Sequence, residues 1–274
     1  MRPGVGRLEW AGLLVYEGQV KNADRWAPSK YRLRRGTLEA SRDPREVSVG
    51  SRLIADAIAA QYGSKLPRYA RGRLVDLGCG KVPLYQAYRD LVSEVVCVDW
   101  ANSPHQSPFL DQAVDLDGPL PWEGSRFDTV ILSDVLEHVQ RPEHLLQEVA
   151  RILAPGGRLL VNVPFLYAIH EAPHDYFRYT EFALRGLVER SGLRLVELEA
   201  LGGGAQVLAD LTAKLLLRYG LLGRPLAAFV QWWAGVLLRT RRGRRRAARS
   251  ARRFPLGYFL VVEKPGASPA TAAR

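Results

Sequence analysis

Residues 74–80, with the sequence Leu-Val-Asp-Leu-Gly-Cys-Gly, constrain the fold of this chain more than any other segment. Their apolar residues are typical of a buried parallel strand that ends at Leu77. The two glycines allow a sharp turn and a close approach of the backbone to a ligand, and Pro83 suits the first turn of a helix. A strand, a glycine loop and a helix in this order predict the first crossover of an open α/β sheet, in which ligands bind at the carboxyl ends of the strands.

Two acidic residues indicate what binds at this edge of the sheet. The loop lacks the dinucleotide fingerprint Gly-x-Gly-x-x-Gly, because Pro83 occupies the position of the third glycine. It contains Asp76 near the end of the strand, where a carboxylate can hold a cationic amine. The next apolar segment, residues 95–98, is followed by Asp99, where a carboxylate can accept hydrogen bonds from both hydroxyls of a ribose. A ligand that carries an amine and a ribose matches both acids.

Asp76, Gly78, Gly80 and Asp99 resemble the corresponding residues of class I S-adenosylmethionine-dependent methyltransferases of the type 11 kind. The resemblance continues through residues 113–122, 127–138 and 153–161, which in that family are the adenine loop, the fourth strand with its turn, and the lead into the fifth strand. It implies that the chain is a methyltransferase and that its cofactor is S-adenosyl-L-methionine. The residues expected to bind the cofactor are Asp76, Gly78, Cys79, Gly80, Asp99, Trp100, Asp115, Leu116 and Ser133.

Three members of this set have specific expected roles. Asp115 stands at the tip of the predicted third strand, where its carboxylate can accept from the adenine amino group or can form local turn bonds instead. The Leu116 N–H can serve a ring nitrogen, and Ser133 is in position to contact the methionine part. The loop departs from the family at Val82, where many members have a third glycine, and this difference concerns the shape of the loop.

The resemblance and the alternation of apolar segments predict a Rossmann-like sheet of seven mostly parallel strands with helices on both faces. The expected elements include a helix over 47–62 that Gly63 ends, a crossover helix over 84–91, a short third strand over 113–116 and an antiparallel seventh strand over 256–263. The expected domain comprises residues 47–204 and 256–265, with an N-terminal arm over 1–46, a helical insertion over 205–255 and a disordered tail over 266–274. The arm either packs on the domain with a solvated basic face or covers the ligand as a lid.

Residues 164–180 follow the predicted fifth strand, so they face the same crevice as the glycine loop, and they are rich in His, Asp, Arg and Tyr. Within them, His170-Glu-Ala-Pro-His174 matches the zinc-protease pattern His-Glu-x-x-His. That pattern requires both histidines one turn apart on a helix, and Pro173 blocks a regular helix between them. We therefore predict no metal site here and interpret the segment as a substrate loop.

Methyl transfer to a hydroxyl needs an aligned acceptor and often a base. His174 is the first candidate base and His170 the second, with Asp175 orienting the histidine or substituting for it. Arg178 suits an anionic or polyhydroxyl substrate, although it can also pair with Asp175. In the alternative interpretation, His174, Asp175 and Arg178 form a structural network that holds the loop.

Residues 173–180, with the sequence Pro-His-Asp-Tyr-Phe-Arg-Tyr-Thr, resemble a segment of bacterial methyltransferases encoded with surface-glycan biosynthesis enzymes. This resemblance suggests a sugar hydroxyl of a glycan or lipid-linked glycan as the acceptor. A small-molecule or quinone-type acceptor is the first alternative. A nucleic-acid-associated methyltransferase and a non-catalytic cofactor-binding protein are further alternatives. The turn after the fourth strand, which begins at Ser133, lacks the Asn/Asp-Pro-Pro-Tyr/Phe motif of the nucleic-acid enzymes of this fold.

The insertion, residues 205–255, begins with an expected helix over 207–222. Asp210, Lys214 and Arg218 are four residues apart, so they would form one polar stripe on a surface that is otherwise mostly apolar. Residues 225–238 contain Trp232 and Trp233, and residues 239–253 contain nine arginines and no acid, which account for most of the net charge of +11.

An apolar helix, a tryptophan pair and a basic segment suit an anionic membrane surface. The apolar run is shorter than the roughly 20 residues of a span, and Arg224-Pro225 should separate it from the preceding helix, so we expect an in-plane or re-entrant arrangement. A homodimer interface is the alternative, and nucleic acid is not expected as a partner. The two cysteines, Cys79 and Cys97, do not form a disulfide framework. Residues 1–7 are not followed by an uninterrupted apolar core and a small-residue cleavage site, so we expect no signal peptide. We expect a cytoplasmic protein, peripheral on the inner face of the cell membrane.

Overall fold

The structure is a computed structural model that describes residues 19–105 and 107–266. The strands are β1 (Tyr31–Arg34), β2 (Thr37–Ala40), β3 (Arg73–Leu77), β4 (Glu94–Asp99), β5 (Gln112–Ala113), β6 (Phe127–Ser133), β7 (Leu153–Pro164), β8 (Arg194–Leu201) and β9 (Gly257–Glu263). The helices are α1 (Arg52–Tyr69), α2 (Tyr85–Tyr88), α3 (Pro142–Ile152), α4 (Glu181–Arg190), α5 (Gly204–Leu216), α6 (Gly220–Arg239) and α7 (Arg241–Ala251). The predicted tail lies almost entirely outside the described residues, as does the start of the predicted arm.

The main sheet has seven strands in the order β5-β4-β3-β6-β7-β9-β8. Its neighbouring strands are parallel except for β9, which pairs antiparallel with both β7 and β8. This arrangement confirms the Rossmann-like fold that the sequence predicts, including the antiparallel last strand. The strand order reverses between β3 and β6, so the ligand crevice is expected at the carboxyl ends of these strands.

Side chains alternate between the two faces of β3, as expected for a strand buried on both sides. Val75 and Leu77 join a core that includes residues of α3 and α4, whereas Leu74 joins a core that includes residues of α1 and α2. The helices therefore cover both faces of the sheet. A separate antiparallel hairpin, β1-β2, contacts α1 and α2.

The predicted helix over 47–62 is wrong at both ends, because α1 begins at Arg52 and continues through Gly63 and Pro67 to Tyr69. Burial overrides local propensity here, since Tyr62 and Leu66 on the same face are completely buried. A Cβ on Gly63 would lie 3.4 Å from Leu38 Cβ, so the glycine allows β2 to approach the helix closely. The crossover helix over 84–91 is reduced to the single turn of α2, and the third strand is only Gln112–Ala113.

The insertion differs from its prediction in two respects. The first helix ends at Leu216, and α6 then runs without interruption from Gly220 to Arg239 through Pro225, so Arg224-Pro225 does not separate two helices. The proline removes only one intrahelical bond near the N-terminus of α6. The helix α7 follows directly, and the Thr240 hydroxyl caps it by accepting from the Gly243 N–H at 2.9 Å.

The polar stripe does not face solvent. Asp210 is completely buried, and its carboxylate lies 2.5 Å from Lys214 Nζ. Lys214 Nζ also lies 3.2 Å from the centroid of the Tyr167 ring. Arg218 lies beyond the end of α5. Asp210 and Lys214 thus face the domain, whereas Leu208, Leu211 and Leu215 of the same helix are exposed.

Candidate active site

A cavity of about 1010 Å³ opens at the carboxyl ends of the central strands. All nine residues predicted to bind the cofactor lie on its wall: Asp76, Gly78, Cys79, Gly80, Asp99, Trp100, Asp115, Leu116 and Ser133. They come from the ends of β3, β4 and β6 and from the segment after β5. The structure therefore brings together what the motifs predict, while the individual contacts to the cofactor remain predictions.

The glycine loop has a shape that ordinary side chains would block. Gly78 has φ +71°, and a Cβ on it would lie 2.5 Å from Val135 Cγ2. The Gly78 N–H donates to the Val98 carbonyl at 2.8 Å. Val82 adopts φ 51° although it is not a glycine. The loop thus keeps a left-handed turn where the family often has its third glycine.

Asp76 is almost completely buried at the floor of the cavity. Burial raises the pKa of this carboxyl to about 7, although the Tyr88 hydroxyl, which donates to it at 3.2 Å, opposes the shift. Asp99 adds a smaller electrostatic contribution in the same direction as burial. A cationic amine placed beside Asp76 would favour its ionised form, which fits the predicted role of this residue.

The Asp99 carboxylate fixes the geometry of the neighbouring loops. It accepts from the Gly80 N–H at 2.9 Å, the Trp100 N–H at 2.7 Å and the Ser103 hydroxyl at 3.1 Å. A carboxylate has about four acceptor positions, so one position remains, and rotation of the Ser103 hydroxyl would provide a second. The two hydroxyls of a ribose require two such acceptor positions on the carboxylate.

The segment after β5 forms a local turn and is hydrogen-bonded to the segment that follows β6. The Asp115 carboxylate accepts from the Asp117 N–H at 3.0 Å, which is the local turn bond that aspartate side chains favour. Asp117 accepts in turn from the Arg141 N–H at 2.8 Å and from the Gln140 N–H at 3.3 Å. These bonds position the predicted adenine loop against the segment that follows β6.

Of the four predicted catalytic residues, His174 is the one that lines the cavity. Its ring contacts Trp100 edge-to-face at 5.0 Å between centroids, and its Nδ1 lies 3.0 Å from the Tyr176 hydroxyl. Gln140 also donates to this hydroxyl, at 3.1 Å. His174 therefore has the placement that a base for a bound acceptor needs.

Asp175 and Arg178 hold the loop together and do not line the cavity. Arg178 donates to both oxygens of the Asp175 carboxylate, at 2.5 and 2.7 Å, and to the Phe177 carbonyl at 2.8 Å. Asp175 also accepts from the His170 N–H at 2.9 Å. Although burial raises the pKa of Asp175, these donors lower it to about 2. The structure thus supports the alternative in which these two residues are structural, and it offers no direct contact of Arg178 with a substrate in the cavity.

Two ion pairs that the sequence analysis did not predict join different segments of the cavity wall. Lys30 Nζ lies 2.6 Å from Asp134 Oδ2, and His105 Nε2 lies 3.0 Å from Glu171 Oε1. Burial lowers the pKa of Lys30, but Asp134 together with Tyr31 and Tyr167 raises it overall. The Glu171 carboxylate raises the pKa of His105 despite partial burial.

Both acids have backbone conformations that side chains rarely adopt, with φ 56° at Asp134 and φ 52° at Glu171. Such conformations cluster at functional sites. No local sequence signal could have identified these pairs, because each joins segments far apart in the chain.

The comparisons with known proteins agree with this geometry. A model of the methyltransferase domain family matches residues 45–198, more than half of the chain. The chain belongs to the methyltransferase domain family. Residues 45–198 therefore form a methyltransferase domain of the S-adenosylmethionine-dependent class, and the cavity at the strand ends is where we predict the cofactor to bind.

Curated relatives with methyltransferase names match part of this chain. A demethylmenaquinone methyltransferase from Renibacterium salmoninarum is 28% identical over 146 residues, covering 50% of this chain and 55% of the relative. A ubiquinone biosynthesis O-methyltransferase from Xanthomonas euvesicatoria is 31% identical over 118 residues, covering 38% and 48%. The chain spans about half the length of the curated relatives it matches.

Solved structures share the fold over most of the methyltransferase. The cyclase SpnF superposes with a TM-score of 0.50 at 18% identity, covering 88% of this chain and 87% of that chain. A complex of the Haloferax volcanii Trm112 methyltransferase activator with a methyltransferase gives a TM-score of 0.50 at 21% identity, covering 82% and 95%. These similarities show the fold alone.

Proposed function

We propose that this methyltransferase methylates a hydroxyl of a glycan or a lipid-linked glycan intermediate. The observation that carries the proposal is the set of hydrogen-bonding side chains that line the cavity beside the predicted cofactor residues. His105, Gln140, Glu171, His174 and Tyr176 all line the cavity there. They come from three different loops, and together they offer the donors and acceptors that a polyhydroxyl acceptor requires.

His174 is the residue that would take the proton of the acceptor hydroxyl. When bound, S-adenosylmethionine supplies an electrophilic methyl group on its sulfonium. The residues of this chain align the acceptor oxygen with that methyl group and accept the proton of the acceptor hydroxyl. Alignment supplies much of the rate enhancement. Trp100, in edge contact with His174, would keep the imidazole against the cofactor side of the cavity.

A quinone-type acceptor is the second candidate. The relatives named as demethylmenaquinone and ubiquinone methyltransferases favour it. A ring hydroxyl would need the same base and alignment, and Trp100 and Tyr176 offer aromatic surface on the same cavity wall.

An acceptor screen tests the proposal. Purified protein is incubated with S-adenosylmethionine and either lipid-linked sugars or hydroxylated quinone precursors, and S-adenosylhomocysteine formation is measured. Turnover with sugars alone supports the first candidate, and turnover with quinone-type compounds alone replaces it with the second. Turnover on neither class, by a protein that binds the cofactor, contradicts both. Arg185→Gln provides a control, because this residue is exposed on α4 and does not line the cavity.

We also propose that the enzyme works on the cytoplasmic face of a membrane, with its insertion on an anionic lipid surface. The outward face of the insertion is apolar, and its large exposed residues are Leu208, Leu211, Leu215, Tyr219, Leu221, Leu222, Leu226, Phe229, Trp232, Trp233 and Leu237. Spacings of three and four residues place most of them in one stripe on each helix. An exposed apolar surface of this extent is typical of an interaction site.

The helix α6 has the length and composition of a membrane span, with a mean hydropathy of 1.3, and 22% of that segment is buried in the protein. Its buried residues support an in-plane position. Gln231 is buried and donates to the Gly50 carbonyl at 2.8 Å, and it accepts from the Leu53 N–H at 3.1 Å. The buried residues of α6 are Gly223, Ala227, Gln231 and Ala234, so one face of the helix packs against the rest of the protein and the opposite face is left for lipid.

The charge of α7 favours an anionic surface over a second copy of the chain. The exposed arginines of this helix and its C-terminal end are Arg241, Arg242, Arg244, Arg245, Arg246, Arg249, Arg252 and Arg253. Two such helices facing each other in a dimer would repel, whereas each basic residue near an anionic bilayer contributes about 1 kcal/mol of attraction. Lipid-linked and quinone-type acceptors would both be reached from such a surface.

A further inference from the structure

The turn Leu136–His138, directly after β6, contains a buried carboxylate that the proposed methyl transfer does not use. Glu137 is completely buried. Neither of its carboxylate oxygens has a hydrogen-bond partner among the residues that the structure describes. A buried charge is normally compensated by a partner charge, by hydrogen bonds or by a metal ion. Glu137 therefore lies in a setting that an additional cation would complete.

Two imidazoles face this carboxylate. His138 Nε2 and His170 Nε2 each lie 3.7 Å from Glu137 Oε1. This distance is too long for a hydrogen bond. His138 Nε2 is itself a buried atom without a hydrogen-bond partner in the described part of the chain.

The other ring nitrogen of each histidine has an outer partner. His138 Nδ1–H donates to the His174 carbonyl at 2.6 Å, which leaves the lone pair of Nε2 directed toward Glu137. His170 Nδ1 lies 3.3 Å from Asp175 Oδ2 and 3.4 Å from Arg178 Nη2. Metal-binding histidines show this arrangement, in which one nitrogen contacts a carbonyl or carboxylate and the other binds the ion.

The spacing of the three side chains fits one ion. Their potential ligand atoms all lie within 4.8 Å of one another. Two atoms that each bind one ion at about 2.1 Å lie at most about 4.2 Å apart, so the two 3.7 Å separations already fit, and any wider pair would need to close by about 0.6 Å. Glu171 Oε2 lies 3.9 Å from His138 Nε2, which makes it available as a fourth ligand.

We propose that Glu137, His138 and His170 bind a divalent transition-metal ion, such as zinc(II) or manganese(II). Two imidazoles and one carboxylate are a donor set for such ions, whereas magnesium prefers an all-oxygen shell. This site differs from the His-Glu-x-x-His pattern of the sequence. His170 lies near Glu137 and His138, which belong to the turn after β6, whereas His174 is not part of the cluster. It also differs from the sequence-based prediction that no metal is bound.

The site adjoins the reaction cavity, since His138 and Glu171 are part of its wall. Its use in catalysis rests on the proposed methylation of a hydroxyl. A cation bound there would hold the acceptor oxygen and lower the pKa of its hydroxyl. The proton passes to His174, the oxygen forms a bond to the methyl carbon, and the sulfur–methyl bond breaks with its electron pair remaining on sulfur.

The binding site is tested without any acceptor. Full-length protein is stripped with a chelating resin and titrated with zinc(II), manganese(II) or magnesium(II) by calorimetry, and bound metal is counted by mass spectrometry. We expect one zinc or manganese ion per chain and no comparable binding of magnesium. Glu137→Gln and His170→Ala should weaken binding at least tenfold. His144→Ala is the matched control, because this histidine lies on α3 outside the cluster, and it should bind as the unchanged protein does.

Binding of S-adenosylhomocysteine by every variant shows that the cofactor cavity is intact. If the unchanged protein binds no zinc or manganese, or if the cluster variants bind as tightly as His144→Ala, the site is wrong. Crystals of the unchanged protein soaked in manganese chloride give a readout that needs no variant. An anomalous peak between the three side chains supports the proposal, and a peak elsewhere or none contradicts it.

The catalytic use of the ion has a separate test, once an acceptor is known. Removal of the metal should lower kcat at least tenfold, and added zinc or manganese should restore it. An undiminished kcat in the stripped enzyme contradicts the catalytic use. A failure of the acceptor screen alone would leave the metal titration unaffected, so the two proposals can fail independently.

Discussion

Lys30 Nζ lies 2.6 Å from Asp134 Oδ2, so a residue of the N-terminal arm is joined to the turn after β6 across the cofactor cavity. Both residues line that cavity. Asp134 is fixed further by Asn162, whose side-chain amide donates to the other carboxylate oxygen. The pair closes one side of the cavity, and this contact is the structural basis for the prediction that the arm acts as a lid.

Lys30→Met should therefore loosen the arm. We expect S-adenosylhomocysteine to dissociate at least severalfold faster, and the free energy of unfolding to fall by about 1–2 kcal/mol, because a hydrogen bond to a charged group is lost. Stopped-flow displacement and denaturant unfolding measure the two effects. Arg34→Met, an exposed change on the same hairpin, should alter neither. An unchanged dissociation rate in Lys30→Met would show that the arm is not a lid.

The raised pKa of Asp76 predicts that cofactor binding depends on pH. The carboxyl, with a pKa of about 7, must be ionised to hold a cationic amine. Binding of S-adenosylhomocysteine should therefore tighten as the pH rises from about 5.5 to 7 and should level off above it. Calorimetry across this range measures the effect. Asp76→Asn should bind weakly at every pH, and a pH dependence of the same size in this variant would assign the effect to another group.

The same shift has an opposite consequence for stability. Between the ordinary pKa near 4 and the folded value of about 7, the folded protein keeps a proton that the unfolded chain has lost, so stability falls as the pH rises through this window. A shift of about three units corresponds to at most about 4 kcal/mol. Asp76→Asn removes this loss, so the ligand-free variant should have a higher Tm than the unchanged protein at pH 8. A lower Tm at that pH would contradict this account.

His174→Ala should lower turnover at least about a hundredfold, which is the low end for the loss of a general base. Cofactor binding should survive, because His174 is not among the nine residues that we predict to bind the cofactor. Asp175→Asn should instead lower the Tm, since Asp175 holds Arg178 and the loop backbone. If His174→Ala loses binding and turnover together, His174 is structural as well.

Membrane association can be tested by liposome flotation. The unchanged protein should float with anionic vesicles and less with neutral ones, and high salt should weaken the interaction because it screens the arginines. Replacing Trp232 and Trp233 by serine, or Arg245, Arg246 and Arg249 by glutamine, should reduce flotation while cofactor binding is kept. Point variants are preferable to deletion of residues 205–255, since α5 and α6 cover α1. A chain that remains soluble and sediments as a dimer would assign this surface to a homodimer, and binding only to nucleic acid would assign it to that partner.

Local motifs predicted the fold and the cofactor cavity because they lie on consecutive strand ends. The residues Asp76 and Asp99 needed only the strand order to come together. The features that the sequence did not reveal depend on contacts between distant segments. Gly63 does not end a helix because Leu38 packs on it, and Asp210 is buried because α5 turns its polar side inward.

In the candidate site, too, the sequence revealed local features and did not reveal contacts between distant segments. His174 was predicted from the loop that carries it, whereas Lys30 and Glu171 acquire their partners only in the folded chain. The contact between His138 and His170 likewise depends on how two loops meet, so no local sequence pattern indicates it.

Calorimetric titration of the purified chain with S-adenosylmethionine tests whether the cavity at the strand ends holds the cofactor. We expect one cofactor per chain, and we expect Asp99→Ala to weaken binding by about 1.5–3 kcal/mol, because a charged acceptor of the ribose hydroxyls is lost. Asp90→Ala is the matched control, since this aspartate is 83% exposed, and it should bind as the unchanged protein does. Absence of saturable binding by the unchanged chain, or equal binding by Asp99→Ala and Asp90→Ala, would contradict the assignment of the cavity as the cofactor site.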